Sequence, residues 1–261
     1  MWTWFHKLGS PPHFYRLAGA LRPWLLWPSL ILMAIGLYAG LVLAPADYQQ
    51  GDGFRIIYVH VPGAYLSTTI YGLMAVASAI GLIWRMKLAH AVAASCAPIG
   101  ASFTALALTT GAIWGKPMWG TYWEWDPRLT SELILLFVYF GYMSLRASFE
   151  DVNKADRASA VLAIVGSINL PIIHYSVIWW SSIHQGPTIK KLDAPSIPAD
   201  MLWPLLLMIF ASTLFFGAIL LQRVRAEVLD RERNSRWVRD MVSGQDAMSS
   251  DPGLVTGTRG T

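Results

Sequence analysis

The residues best equipped for chemistry run Trp114-Gly115-Lys116-Pro117-Met118-Trp119-Gly120-Thr121-Tyr122-Trp123-Glu124-Trp125-Asp126-Pro127-Arg128. Four tryptophans fall within twelve residues, with glycine and proline set between them. One tryptophan at a membrane–water interface is ordinary, because its amphipathic ring suits the headgroup region. That preference does not account for four so close together. Such a segment makes a flat aromatic shelf, which suits a large planar apolar ligand, with Gly120 allowing close approach. Histidine supplies the metal-binding nitrogens of this sequence, at His6, His13, His60, His90, His174 and His184. Which of them can join the shelf depends on where the chain crosses a membrane.

Of the 261 residues, 54% are hydrophobic and only 14% are charged, with a mean hydropathy of +0.42. A soluble domain carries about 25% charged residues. The expected fold is therefore an all-α integral membrane protein. A span needs about 20 mostly apolar residues, and six such stretches are read at about 23–43, 61–84, 90–113, 129–146, 158–179 and 201–222. Glu132 falls near the start of the fourth. At the membrane lip its carboxylate reaches water or a partner, whereas in mid-span it would be costly and would mark a site.

Six spans put both termini on one side with loops 85–89 and 147–157. That side holds 15 Lys and Arg against 5 on the other, the 5 being Arg55, Lys116, Arg128, Lys190 and Lys191. Without the C-terminal tail the ratio is 8 to 5, of the same sign. The positive-inside rule then places both termini in the cytoplasm and turns 44–60, 114–128 and 180–200 outward. The basic residues that give a pI near 9.2 sit in loops and tails. Topology explains them better than nucleic acid does.

Residues 1–22 read as a cytoplasmic or interfacial segment. Residues 1–20 are interrupted by Lys7, Gly9, Pro11, Pro12 and Arg16, unlike a cleaved signal peptide. The six-span domain covers 23–222. Residues 223–240 read as a charged cytoplasmic helix extending the last span, and 241–261 as a disordered tail rich in Ser, Gly, Asp and Thr. The single cysteine, Cys96, excludes a CxxCH attachment site and cysteine-ligated clusters. There is no nucleotide-binding loop, so the chain itself does not hydrolyse ATP.

This topology leaves His60 and His184 at the outer surface, flanking the tryptophan segment from separate stretches of chain. Together they can offer two axial nitrogens to a haem iron, with the tryptophans against the porphyrin. His174 lies inside the fifth span, ten residues before His184, and reads as a buried, hydrogen-bonded helix histidine. Arg55, Arg128 and Lys116 are outer-side cations able to meet haem propionates, or simply solvated at the membrane edge. Asp126 can pair with Arg128 or cap the fourth span.

The stretch Trp119-Gly-Thr-Tyr-Trp-Glu-Trp-Asp-Pro-Arg-Leu-Thr130 resembles the WGxxWxWDxRLT tryptophan-rich (WWD) motif of a haem-handling superfamily. Size and span number resemble its haem exporter protein C branch, of the cytochrome c maturation system. Tyr58-Val-His60-Val-Pro62 and the segment from His174 through Trp179, Trp180 and His184 to Thr188 are similar to that branch as well. The resemblance covers roughly residues 15–225. It implies haem b ligated by His60 and His184 on the periplasmic face of a bacterial inner membrane. It also implies haem contact through Trp114, Trp119, Gly120, Trp123, Trp125 and Asp126. Haem would pass to a periplasmic haem chaperone, in a complex with an ATP-binding cassette ATPase and permease and a small single-span subunit. The chain would then act by ligation and positioning, not as an enzyme. Two other readings stand beside it: a cytochrome b-like electron-transfer subunit, and a docking subunit without haem of its own.

Overall fold

Helix boundaries in the computed structural model, which describes residues 10–180 and 197–243, follow from where proline and glycine stand. His6, His184, Lys190 and Lys191, most of the third outer segment and nearly all of the C-terminal tail lie outside the described residues. Helix α1 covers Pro11–Tyr38 and continues as a π-helical turn, Ala39–Leu43. A 3-10 turn, Asp52–Ile56, leads into α2, Ile57–Trp84. Then come α3 (Lys87–Trp119), α4 (Pro127–Ala147), α5 (Val152–Gly166) and α6 (Asn169–Trp179). The described chain ends with α7 (Ala199–Arg231) and the short α8 (Arg236–Val242). Six stretches are long and apolar enough to cross a membrane, α5 and α6 together forming the fifth.

Four local features differ from the sequence reading. Helix α1 begins at Pro11, because prolines at the first positions of a helix forgo only N–H groups that have no helical partner. Helix α3 runs past Trp114 to Trp119, so half of the tryptophan segment is helix and not loop. The fifth span is broken at Ser167–Ile168, where hydrogen bonds tighten to the i→i+3 pattern. Gly166 before the break and Pro171 after it weaken the ladder. The Asn169 side chain donates to the Ser131 carbonyl (2.8 Å) and fixes the restart. Lastly, the charged helix expected over 223–240 is interrupted between Arg231 and Arg236.

The core is built by small residues on α3 that let neighbouring helices come close. Ala93, Cys96, Ala97 and Ile99 of α3 are buried with Leu66, Ile70, Tyr71 and Met74 of α2 and with Leu135, Tyr139 and Tyr142 of α4. The Tyr139 ring occupies the space beside Gly100 that any side chain would need, and its hydroxyl donates to the Ser67 carbonyl (2.8 Å). Helix α1 packs on α7 in the same manner, with Gly36 against Met208.

Charge sorts to the two ends. At one end Arg146 of α4, Asp156 of α5, and Glu227 and Arg231 of α7 form a closed ionic ring. Asp156 accepts from Arg146 and, bidentately, from Arg231 (2.7 and 2.9 Å). Glu227 accepts from Arg146 (2.5 Å) and Arg231 (2.8 Å). Near it the Arg225 guanidinium lies over Tyr15, 4.2 Å from the ring centroid, which brings the start of α1 to the end of α7. The opposite end holds the start of α2, the end of α3 and the start of α4, and with them the tryptophans.

Candidate functional site

His60 sits one turn into α2 and faces the last turns of α3. Its Nδ1 lies 3.0 Å from Thr110 Oγ1. Its ring stands edge-to-face with Trp114 at 5.6 Å and passes so close to Gly111 that an added Cβ would lie 3.1 Å from Cε1. Thr110, Gly111 and Trp114 are spaced i, i+1 and i+4, and so share one helical face. Trp114 is held in turn from the segment between α1 and α2. Its Nε1 donates to Gln50 Oε1 (2.9 Å) and its ring meets Phe54 edge-on at 6.0 Å. The sequence foresaw His60 and Trp114 at one level. It gave no sign of Gln50 or Thr110, which lie 64 residues from Trp114 and 50 from His60 respectively.

The remaining tryptophans follow the end of α3. Gly120 closes the helix in the left-handed region (φ +79°), its N–H donating to the Lys116 carbonyl. No atom of the described residues crowds the place of its missing Cβ, so the glycine serves the backbone angle. Trp119 folds back on Gly115. Trp123 and Trp125 meet edge-to-face at 5.6 Å. Trp125 is 76% exposed, whereas the Trp123 indole nitrogen is buried without a hydrogen-bond partner among the described residues. An exposed apolar ring beside an unsatisfied donor fits a planar ligand with a polar edge better than it fits a finished core.

Asp126 is buried and caps α4, its Oδ1 accepting from the N–H groups of Arg128 (2.8 Å) and Leu129 (3.4 Å). Pro127 at the first helical position completes the start. The cap is thus one of the roles open to Asp126 in the sequence, and the charge of Asp126 also acts on Arg128. One turn further in, Glu132 is buried, only 8% exposed, and Ser67 Oγ of α2 donates to it (2.5 Å). Its partner is thus inside the bundle.

The cations at this end of the bundle differ in what they already hold. Arg55 donates from Nε to Asp52 (2.8 Å) and from Nη1 to the Gly40 carbonyl (3.1 Å). That carbonyl belongs to the π turn, which leaves backbone groups out of the helical register. Lys116 Nζ donates to the Gly120 carbonyl (2.9 Å) and lies 5.3 Å from the Tyr122 ring centroid. The Arg128 side chain, half-buried over the start of α4, makes no hydrogen bond among the described residues.

His174 departs from expectation. It is exposed on α6, not buried, with its ring edge-on to Tyr175 at 4.8 Å. Tyr175 stacks on Trp179 (5.2 Å), and Trp179 meets Trp180 (5.8 Å). The short eleven-residue helix that restarts at Asn169 turns this aromatic row outward. In the sequence this row is followed by the segment that contains His184, which lies outside the described residues.

A family profile described as Heme exporter protein C (CcmC) matches residues 4–239. The chain belongs to that family. Heme exporter protein C of Haemophilus influenzae is 48% identical over 239 residues, covering 92% of this chain and 97% of that protein. The Escherichia coli protein of the same name is 48% identical over 242 residues, with 93% and 98% covered. That of Bradyrhizobium diazoefficiens is 47% identical over 246 residues, with 94% and 92% covered. The Heme exporter protein C match spans all six candidate membrane helices and the whole His60–Trp114–Asp126 end of the bundle.

Proposed function

We propose that the chain binds haem b at the periplasmic face of a bacterial inner membrane and delivers it to a periplasmic haem chaperone during cytochrome c maturation. It does so beside an ATP-binding cassette ATPase and permease, a small single-span subunit and surrounding lipid. Both termini lie in the cytoplasm on this reading, in keeping with the excess of Lys and Arg at the Arg146–Arg231 end.

The observation that carries the proposal is the His60 ring, set edge-on to Trp114 in the tryptophan segment of a Heme exporter protein C family member. No group of three or more His, Cys, Asp or Glu gathers among the described residues, as a bare metal ion would need. Haem carries four of its own nitrogen ligands and asks only for axial ones. His60 would supply the first and His184 the second. The exposed Trp125 ring would lie against the porphyrin, with Trp123 packed edge-on beside it. Arg55 and Lys116 already hold backbone carbonyls. Arg128 is therefore the propionate partner of choice among the three.

A cytochrome b-like subunit would need two histidines facing each other within the spans. The buried described histidine is His90, near the start of α3 and at the opposite end from His60. The outer position of His60 favours open delivery. The visible spectrum of the purified protein tests the function. It is expected to show six-coordinate low-spin haem; protein that neither carries haem nor takes up added hemin would leave a docking role instead.

A further inference from the structure

Thr110 stands between His60 and the backbone of α3, and its hydroxyl has a single hydrogen to give. Thr110 Oγ1 lies 2.7 Å from the Leu106 carbonyl and 3.2 Å from the Ala107 carbonyl, both inside its own helix. Carbonyl oxygens only accept. The hydroxyl proton is therefore directed into the helix, and a lone pair of Oγ1 faces His60 Nδ1 at 3.0 Å. Two lone pairs cannot face each other at that distance, so Nδ1 must carry a proton. In a neutral imidazole that makes Nε2 the nitrogen with the lone pair.

We infer that Thr110 is a positioning residue for haem ligation: its hydroxyl fixes His60 as the Nδ1–H tautomer and so assigns the iron to Nε2. The inference rests on the haem reading proposed above. Two neighbours strengthen it on geometric grounds alone. Gly111 lets the ring lie almost on the helix backbone, and Trp114 abuts it edge-to-face. A ring wedged between these groups resists the flip that would exchange its nitrogens. Thr110 also acts on the ligand electronically. An acceptor at Nδ1–H raises the electron-donating strength of the other nitrogen, as carbonyl and carboxylate partners do for metal-bound histidines. Ligand strength and ring direction are thus both set from α3, the helix that carries the tryptophan segment.

The test uses full-length protein titrated with hemin, in the parent and in Thr110→Val, Thr110→Ser and His60→Ala. Valine keeps the shape of threonine and removes the hydroxyl. Thr110→Val is expected to weaken hemin binding about 10–100-fold, the usual effect of losing an outer-shell partner. It should also raise the reduction potential of the bound haem. Thr110→Ser is expected to restore both. A merely structural role for Thr110 would leave the potential unmoved. Parent-like affinity and potential in Thr110→Val, with binding lost in His60→Ala, would overturn the role of Thr110 and leave the haem reading intact. Parent-like binding in His60→Ala would remove both. Nitrogen NMR of the His60 ring in haem-free parent protein reads the tautomer without any variant. A proton on Nε2 and none on Nδ1 would also overturn the inference.

Discussion

Replacing His60 with alanine is expected to weaken hemin binding by more than the roughly 10–100-fold that loss of an outer-shell partner brings. The remaining haem should be five-coordinate and high-spin, held by His184 and the tryptophan segment. The reason lies in the packing. The His60 ring is fixed by Thr110, Gly111 and Trp114 before any ligand arrives, so little ordering cost offsets ligation. His184→Ala should reach the same spectroscopic state from the other side, with His60 retained. Hemin titration followed in the visible region checks both variants. The bundle itself should be unaffected by His60→Ala, because the buried cluster of α2, α3 and α4 lies deeper than this ring.

The second large effect is expected at the far end, on stability and not on haem. The Asp156 side chain is only 5% exposed and accepts from both Arg146 and Arg231. Asp156→Ala would leave two guanidinium groups with Glu227 as their single shared partner. Breaking a buried ion pair from one side costs about 3–5 kcal/mol, because the stranded charge keeps its desolvation penalty. The ring joins α4, α5 and α7, so its loss should loosen the helix ends where the fifth span begins. Thermal unfolding of the full-length protein in detergent would show a markedly lower midpoint, with hemin affinity per folded molecule unchanged. A parent-like midpoint would mean that water or lipid headgroups satisfy the arginines equally well.

The parts of this architecture visible in the sequence are those written in local signals. Apolar runs located six spans, and a cap on the fourth was one of the two roles the sequence left open for Asp126. The level shared by His60 and Trp114 followed from the span boundaries. Other features were hidden for identifiable reasons. The third span was read to about 113, yet α3 runs on through Pro117, because a proline one turn from a helix C-terminus removes just one hydrogen bond, and Gly120 is the stop. The fifth span appeared continuous because the stretch is apolar on average, although Gly166 and Pro171 bracket the break. His174 was expected to be buried by its place within an apolar run. The restart of the helix at Asn169 instead directs it to the surface. Thr110 carried no signal at all. It lies in an ordinary helical stretch, and its meaning comes from a partner 50 residues away.

These contacts also separate residues that build the site from residues that hold it in place. Gly120 and Asp126 shape the backbone at the end of α3 and the start of α4. Arg55 and Lys116 tie down neighbouring carbonyls. On the proposed function, His60, Trp125 and Arg128 are the side chains that would meet the ligand. That division would let a fixed frame hold haem while the site stays open at the end of the bundle.

Loading of the chaperone measures delivery most directly. Haem-loaded protein is mixed with haem-free periplasmic chaperone, and covalent haem on the chaperone is read after denaturing electrophoresis. Haem is expected to leave the parent protein and appear on the chaperone, with loading strongly reduced in His60→Ala. Haem that stays on the parent chain, or loading that proceeds equally well in His60→Ala, would contradict delivery from this site.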